Sequence, residues 1–167
     1  MTLRPDIVEC WPFRVTGPGE LEILLIRRAP DRIFPGLWQC VTGAIDPGER
    51  VALAALRELE EETGFGADDV EAAYDLDQVA PFYDEGTDGV VVSAIFAARI
   101  RPGATERMSR EHDGAQWVRP EAALRLAVWP SYAESIRRIR EILLDPDLEP
   151  WFRLDGHGER IARRPLR

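Results

Sequence analysis

The 167-residue chain contains neither lysine nor asparagine, so all 21 of its basic residues are arginines. Codon bias and heat tolerance account for that composition equally well, and it marks no function. Cysteine is scarce too. Cys10 and Cys40 are too few for a disulfide framework and fit no metal-binding spacing, so both read as small core residues. No window approaches the roughly 20 apolar residues of a membrane span, and the opening MTLRPDIVEC lacks the apolar stretch of a secretory signal. The sequence therefore predicts no membrane partner and a cytoplasmic location. Positive charge is in deficit, with 30 Asp and Glu against 21 Arg for a net charge of −9. That balance excludes the basic footprint of a duplex nucleic-acid binder, so no nucleic-acid polymer is expected as a partner. Small phosphorylated ligands stay open, provided a local cation cancels the repulsion. What the chain does have is globular composition, 45% hydrophobic and 31% charged, and a length that suits one domain.

Ile7–Val15 predicts a strand, with Pro12 suggesting an edge position or a bulge. Leu21–Arg28 reads as a buried strand, residues 29–36 as a loop with two prolines, and Leu37–Thr42 as a short strand. Helical periodicity runs from Val51 to Thr63 and stops at Gly64. Strands near 72–80 and 90–100 follow, joined by an acidic turn over 84–89. A short strand at 115–118 leads to a small helix after Pro120, and Ser131 is expected to cap a last helix reaching about Leu144. Residues 1–146 are expected to form the domain. Residues 147–167, rich in Pro, Asp and Arg, would be a tail, docked through Trp151 and Phe152 or partly flexible. The fold class expected from this pattern is α/β, a mixed sheet sandwiched between helices.

The informative segment is the helix over 51–63. On a wheel of about 100° per residue, Ala52, Ala55, Leu56, Leu59 and Thr63 gather on the side expected to pack on the sheet. Glu58, Glu61 and Glu62 gather within an arc of about 100° beside that face, while Glu60 points elsewhere. Like charges three or four residues apart cost roughly 0.2–0.5 kcal/mol per pair, and these lie toward the end of the helix where the dipole disfavours anions. Such a cluster calls for a cation, and Arg57 neutralises only part of it. Carboxylate oxygens suit Mg²⁺ or Mn²⁺ better than zinc. The alternative is a glutamate-rich face turned to solvent.

From Gly43 to Phe65 the chain resembles the signature of the Nudix hydrolase family, G-x5-E-x7-R-E-U-x-E-E-x-G-U with U apolar. Gly43, Glu49, Arg57, Glu58, Leu59, Glu61, Glu62, Gly64 and Phe65 meet every specified position. A chance match has odds on the order of one in ten million from ordinary residue frequencies. The resemblance implies a Nudix-type alpha/beta/alpha sandwich around a mixed β-sheet. It also implies Mg²⁺-dependent hydrolysis (Mn²⁺ being the substitute) of a nucleoside diphosphate linked to another moiety. In the roles it assigns, Glu58, Glu61 and Glu62 hold the metal, and one of them or a carboxylate outside the motif is the base. Arg57 and Glu49 orient the carboxylates, and a main-chain carbonyl of Thr42 or Gly43 completes the coordination. Phosphoanhydride cleavage suits this set, because its transition state spreads charge over phosphate oxygens that a metal neutralises.

Flanking motifs resemble the dihydroneopterin triphosphate/dATP pyrophosphatase branch of that family. Trp38-Gln39-x-Val41-Thr42-Gly43 matches its lead-in, and Glu111-His112-x4-Trp117 matches a later segment. The resemblance makes Glu111 a further metal ligand or base. His112 reads more readily as a structural histidine than as a substrate contact. The short connection between Phe82 and Val90 departs from the branch pattern. Arg27 and Arg28, at a strand end pointing toward the motif, are candidate phosphate contacts. Trp38, Gln39 and Phe82 complete the candidate substrate site, with Phe34 and Trp38 also weighed as base-stacking or core residues.

The leading expectation is cleavage of a nucleoside or pterin triphosphate, a small-molecule substrate, to the monophosphate and pyrophosphate. Dinucleoside polyphosphates or ADP-ribose-type nucleotide sugars are the alternative substrates, and a nucleotide sensor without turnover is the alternative of another class. Many relatives are dimers, so the resemblance leaves a homodimer open; the sequence itself does not set the oligomeric state.

Overall fold

Strand β1 (Ile7–Gly17) buries side chains on both of its faces: Val8 and Cys10 on one, Trp11 and Phe13 on the other. A strand covered on both sides needs apolar residues at successive positions rather than in alternation, which is why this stretch is almost continuously apolar. The computed structural model describes residues 2–163. Around β1 it assembles β2 (Glu20–Arg28), β3 (Trp38–Gln39), β4 (Val41–Ala44), β5 (Val70–Asp84), β6 (Gly89–Ile100), β7 (His112–Val118) and β8 (Arg153–Leu154). The strand order is β3-β2-β1-β6-β5-β8, with β4 also paired to β1 and β7 to β2. The β1–β6 pair is parallel and the others are antiparallel, so the sheet is mixed as expected.

Helix α1 (Val51–Thr63) covers one face through Ala54, Ala55 and Leu59, which meet Val8, Cys10, Leu24, Ile26 and Val41. On the other face lies α3 (Pro130–Ile142), whose Tyr132, Ile136 and Ile139 meet Trp11, Phe13, Ile23 and Ile95, with α2 (Pro120–Leu126) alongside. The result is an alpha/beta/alpha sandwich. Among the described residues, no helix is long and apolar enough to cross a membrane.

Two local expectations are corrected. Pro12 marks neither an edge strand nor a bulge, since β1 is central and Pro12 aligns with Ala98 of β6. It is tolerated because it falls where β1 changes partners: pairing with β4 ends at Cys10, and pairing with β2 begins at Phe13. Ser131 does not cap α3. Pro130 occupies the first turn and Trp129 the cap position, because proline's fixed φ and missing N–H suit the first helical residue. The tail also divides its aromatic pair. Phe152, in the short α4 (Glu149–Phe152), packs on the α3-side core, whereas Trp151 is exposed. Strand β8 aligns Leu154 with Ala73, Tyr74 Oη donates to Glu149 Oε1 at 2.7 Å, and Arg160 pairs with Asp75 at 2.8 Å.

Beneath α3 the sheet buries a carboxyl that periodicity does not reveal. Glu9 is 5% exposed and receives Cys40 Sγ at 3.9 Å. Burial raises its pKa from 4.5 to about 7, an effect that Ser93, Trp11 and Cys40 only partly offset. Glu9 therefore gives up its proton at higher pH in the fold than in the unfolded chain, and the folded state holds more protons between those two values. Stability attributable to this residue falls as pH rises from 4.5 through 7. Glu9→Gln should raise unfolding free energy at pH 8 by about 2 kcal/mol, with little gain at pH 4.5. Urea unfolding at both pH values checks this, and equal gains at both would contradict it.

Candidate functional site

The helix that carries the motif is closed by Gly64, whose N–H makes the last bond to the Glu60 carbonyl at 2.8 Å and whose left-handed φ of 77° turns the following chain away. Upstream, β4 delivers Thr42 and Gly43 to the side of the same helix. Gly43 is required there by contact: a Cβ on it would overlap the Glu58 carboxylate. Glu58 thus lies directly against the β4 main chain.

Arg57 organises the acidic residues. Its Nε is 2.9 Å from Glu49 Oε1, its Nη1 is 2.7 Å from Glu58 Oε1 and 3.3 Å from Glu61 Oε2, and its Nη2 donates to Glu49 Oε2 at 3.0 Å and to the Ala44 carbonyl at 2.9 Å. Hydrogen bonding to Glu49, and then to Glu58, raises the Arg57 pKa, and the same contact lowers that of Glu49. One planar guanidinium thereby ties the loop before α1 to two carboxylates on it, which a lysine's point charge would not do.

Glu62 is placed differently. The wheel set it beside the buried face, and the tertiary structure covers it almost entirely. Its Oε2 has no hydrogen-bond partner among the described residues and lies 3.8 Å from His112 Nε2. Burial, then the charges of Glu58 and Glu111, push its pKa up to about 8. Burial also raises Glu58, which Arg57 partly offsets. A buried carboxylate with a free oxygen beside two others is unfavourable unless a cation or a proton joins it.

The other candidates occupy distinct positions. Glu111 is exposed at the rim, 3.7 Å from Arg32 Nη2, and its charge is felt at both Glu58 and Glu62. Arg27 and Arg28 point to opposite faces of β2, as successive strand residues must. Arg28 reaches Gln39 Oε1 at 3.5 Å, and Gln39 lies 3.2 Å from His112 Nε2, which ties Arg28 to the Glu62 side. Arg27 instead pairs with Asp113 at 2.7 Å and sits over the Trp38 ring. Phe82 stands farther out on the β5–β6 hairpin, with β6 and β1 between its strand and β4.

His112, which the sequence presents as a structural histidine, is buried, and Arg32, which no sequence signal singles out, lies beside Glu111. The Glu111-His112 pair was visible, but only β7 pairing on β2 carries His112 into the interior against Glu62. Burial, followed by the Arg28 charge, lowers its pKa and favours the neutral ring.

The donor set fits a hard divalent cation. Glu58 against the β4 main chain, the free oxygen of Glu62, and the exposed Glu61 and Glu111 are oxygen donors in one region. Among the described residues no three of these side chains are already gathered into one set of ligands.

The sequence profile of the NUDIX domain matches residues 7–139. The chain belongs to the NUDIX family. This Nudix domain is 36% identical over 129 residues to the octanoyltransferase of Myxococcus xanthus, a match covering 74% of this chain and 34% of that protein. The chain thus spans about a third of that curated relative's length. Among solved structures, the Ap4A hydrolase of C. elegans superimposes with a TM-score of 0.68 at 20% identity, covering 81% of this chain and 95% of that one. The dihydroneopterin triphosphate pyrophosphohydrolase of E. coli gives 0.67 at 21%, covering 81% and 94%. At these identities the likeness is one of fold, and that fold is the Nudix sandwich.

Proposed function

We propose that this Nudix domain is a Mg²⁺-dependent pyrophosphohydrolase that cleaves a nucleoside or pterin triphosphate to the monophosphate and pyrophosphate. The observation that carries the reading is the pairing of two features on α1: Glu58, held by Arg57 against Gly43, and Glu62, buried with a free oxygen and within reach of the Glu58 charge. Glu58, Glu61, Glu62 and Glu111, with a main-chain carbonyl of Thr42 or Gly43, would hold the ion. A bound divalent ion neutralises phosphate oxygens and acidifies water.

The chain's own residues do the rest. Arg57 holds Glu58 and Glu61 at one guanidinium, and their carboxylates close on the ion from there. Glu111 lies outside the Arg57 network and is the carboxylate in this reading that takes the proton from the attacking water. Arg28, bonded through Gln39 to the buried His112, sits on the Glu62 side of β2 and receives the phosphate chain. The Glu111-His112-x4-Trp117 segment favours a triphosphate over a nucleotide sugar, while the Trp38-Gln39 pair also suits a dinucleoside polyphosphate and does not decide between the two. Likeness in fold to the E. coli pyrophosphohydrolase is compatible with that choice.

The test is turnover of dATP, dihydroneopterin triphosphate, diadenosine tetraphosphate and ADP-ribose in parallel, with and without Mg²⁺, with products resolved by chromatography. Pyrophosphate released from a triphosphate, with the others slow, is the expected result. Turnover restricted to the dinucleotide or ADP-ribose would keep the site and reject the substrate. No turnover of any of the four would point to a nucleotide sensor.

A further inference from the structure

The loop before α1 is gripped from outside the motif. Arg4, ahead of β1, reaches it with one nitrogen: Nη2 donates to the Glu49 carbonyl at 2.7 Å and to the Asp46 carbonyl at 3.3 Å. The helix itself makes no use of the Glu49 carbonyl, since Leu53 N and Ala54 N both turn to the Arg50 carbonyl instead. A bond from a charged donor is roughly twice as strong as a neutral one, so the grip is a firm one. Arg4 is in turn anchored close by. Asp6 N donates to the Val92 carbonyl at 2.9 Å, and Val92 N donates to Asp6 Oδ2 at 2.8 Å. Two residues separate that anchor from Arg4, a reach of about 7 Å. Arg4 stands ahead of the Nudix match over residues 7–139, so the motif does not include it.

What Arg4 grips is the base of the Glu49 side chain. Glu49 Oε2 accepts Asp46 N at 3.0 Å and Arg57 Nη2 at 3.0 Å, while Oε1 accepts Arg57 Nε at 2.9 Å. Glu49 N returns to the Asp46 carbonyl at 3.1 Å, and Gly48 closes the turn between them with a left-handed φ of 79°. The two carbonyls held by Arg4 are therefore those of the residues at either end of this turn. Fixing both ends fixes the direction in which the Glu49 carboxylate leaves the main chain toward Arg57. The side chain of the next residue, Arg50, instead pairs with Glu159 of the tail at 3.3 Å.

We propose that Arg4 is a positioning residue for the reaction: by gripping the Asp46 and Glu49 carbonyls, it holds the Glu49 carboxylate where Arg57 presents Glu58 and Glu61. The relay is made of short bonds throughout. It runs 2.7 Å from Arg4 to Glu49, 2.9 Å from Glu49 to Arg57 and 2.7 Å from Arg57 to Glu58. Arg4 is exposed and its two bonds go to main-chain oxygens, so it adds order to the loop rather than apolar burial to the core. The effect on rate rests on the hydrolase reading above, whereas the hold on Arg57 does not.

Arg4→Ala should lower kcat about tenfold while KM moves less than about twofold, because orientation is lost and substrate binding is not. Arg4→Lys, which keeps a charged donor near the two carbonyls, should regain most of that loss. Arg50→Gln removes the same charge from the same loop but only an exposed ion pair, and should stay within about twofold of the parent. A second arm needs no turnover: ¹⁵N NMR of the Arg57 Nε–H, identified by its disappearance in Arg57→Lys. In the parent this proton is bonded to Glu49, and in Arg4→Ala it should exchange with water about tenfold faster as the loop opens more often. Unchanged exchange in Arg4→Ala would overturn the proposal. So would an equal effect of Arg50→Gln, which makes the cause charge alone, or a KM that rises as kcat falls, which makes Arg4 a substrate contact. A parent that turns over a triphosphate with exchange unchanged in Arg4→Ala loses the positioning role alone. A parent that turns over nothing yet shows the faster exchange loses the hydrolase reading and keeps Arg4 as the holder of Arg57.

Discussion

Glu58→Gln should lower kcat for the Mg²⁺-dependent reaction by about a thousandfold while leaving the fold intact. The replacement keeps shape and volume, so packing against Gly43 is preserved. What it removes is a negative charge at the proposed metal site, where Lewis-acid stabilisation would supply several kcal/mol and each 1.36 kcal/mol is tenfold in rate. It also frees Arg57, which in the parent divides its donors among Glu49, Glu58 and Glu61. A released guanidinium would hold Glu61 more tightly and compete with the cation for it. Kinetics at saturating Mg²⁺, with the melting temperature recorded alongside, check this. Activity within tenfold of the parent would remove Glu58 from the metal site.

Gly43→Ala is expected to cost about a hundredfold in kcat with only a small change in melting temperature. The added Cβ falls on the Glu58 carboxylate, which is the far end of a flexible side chain. It can swing aside at little cost to stability, but only by leaving the position in which Arg57 holds it. A misplacement of about 1 Å is enough to cost this much when catalysis depends on positioning. The combination separates this mechanism from simple destabilisation: raising Mg²⁺ should not restore the rate, and the double variant with Glu58→Gln should be little worse than Glu58→Gln alone. Additive losses would show that Gly43 acts through something other than Glu58.

How much of this was legible in advance differs between elements for identifiable reasons. Helix α1 is written in a short stretch with its own stop at Gly64, and its observed limits, Val51–Thr63, are those its periodicity predicts. The hairpin of β5 and β6 was visible too, but the strands run on to Asp84 and Gly89, because the pairing of Pro81 with Val92 and Tyr83 with Val90 extends the ladder. Pro12 and Ser131 misled because local preference was outvoted, in one case by a change of partner strand and in the other by Pro130 taking the helix start. The motif residues Glu58, Glu61, Arg57 and Glu49 lie close in sequence, so helical geometry alone brings most of them together. Glu111, His112, Arg28 and Arg32 come from elsewhere along the chain and meet them only because β7 and β3 flank β2.

By itself, then, the sequence determined the motif helix, its acidic face, the membership of the Nudix family and the mixed character of the sheet. Each depends on spacing within a few turns of chain or on composition. Tertiary structure alone decided that Glu62 is buried with a free oxygen, that Arg27 and Arg28 serve opposite faces, that Glu9 is entombed beneath α3, and that Phe34 meets Trp129. These are questions of burial and of contact between distant segments. They are settled by how strands register and which face a helix covers, and no local period encodes that.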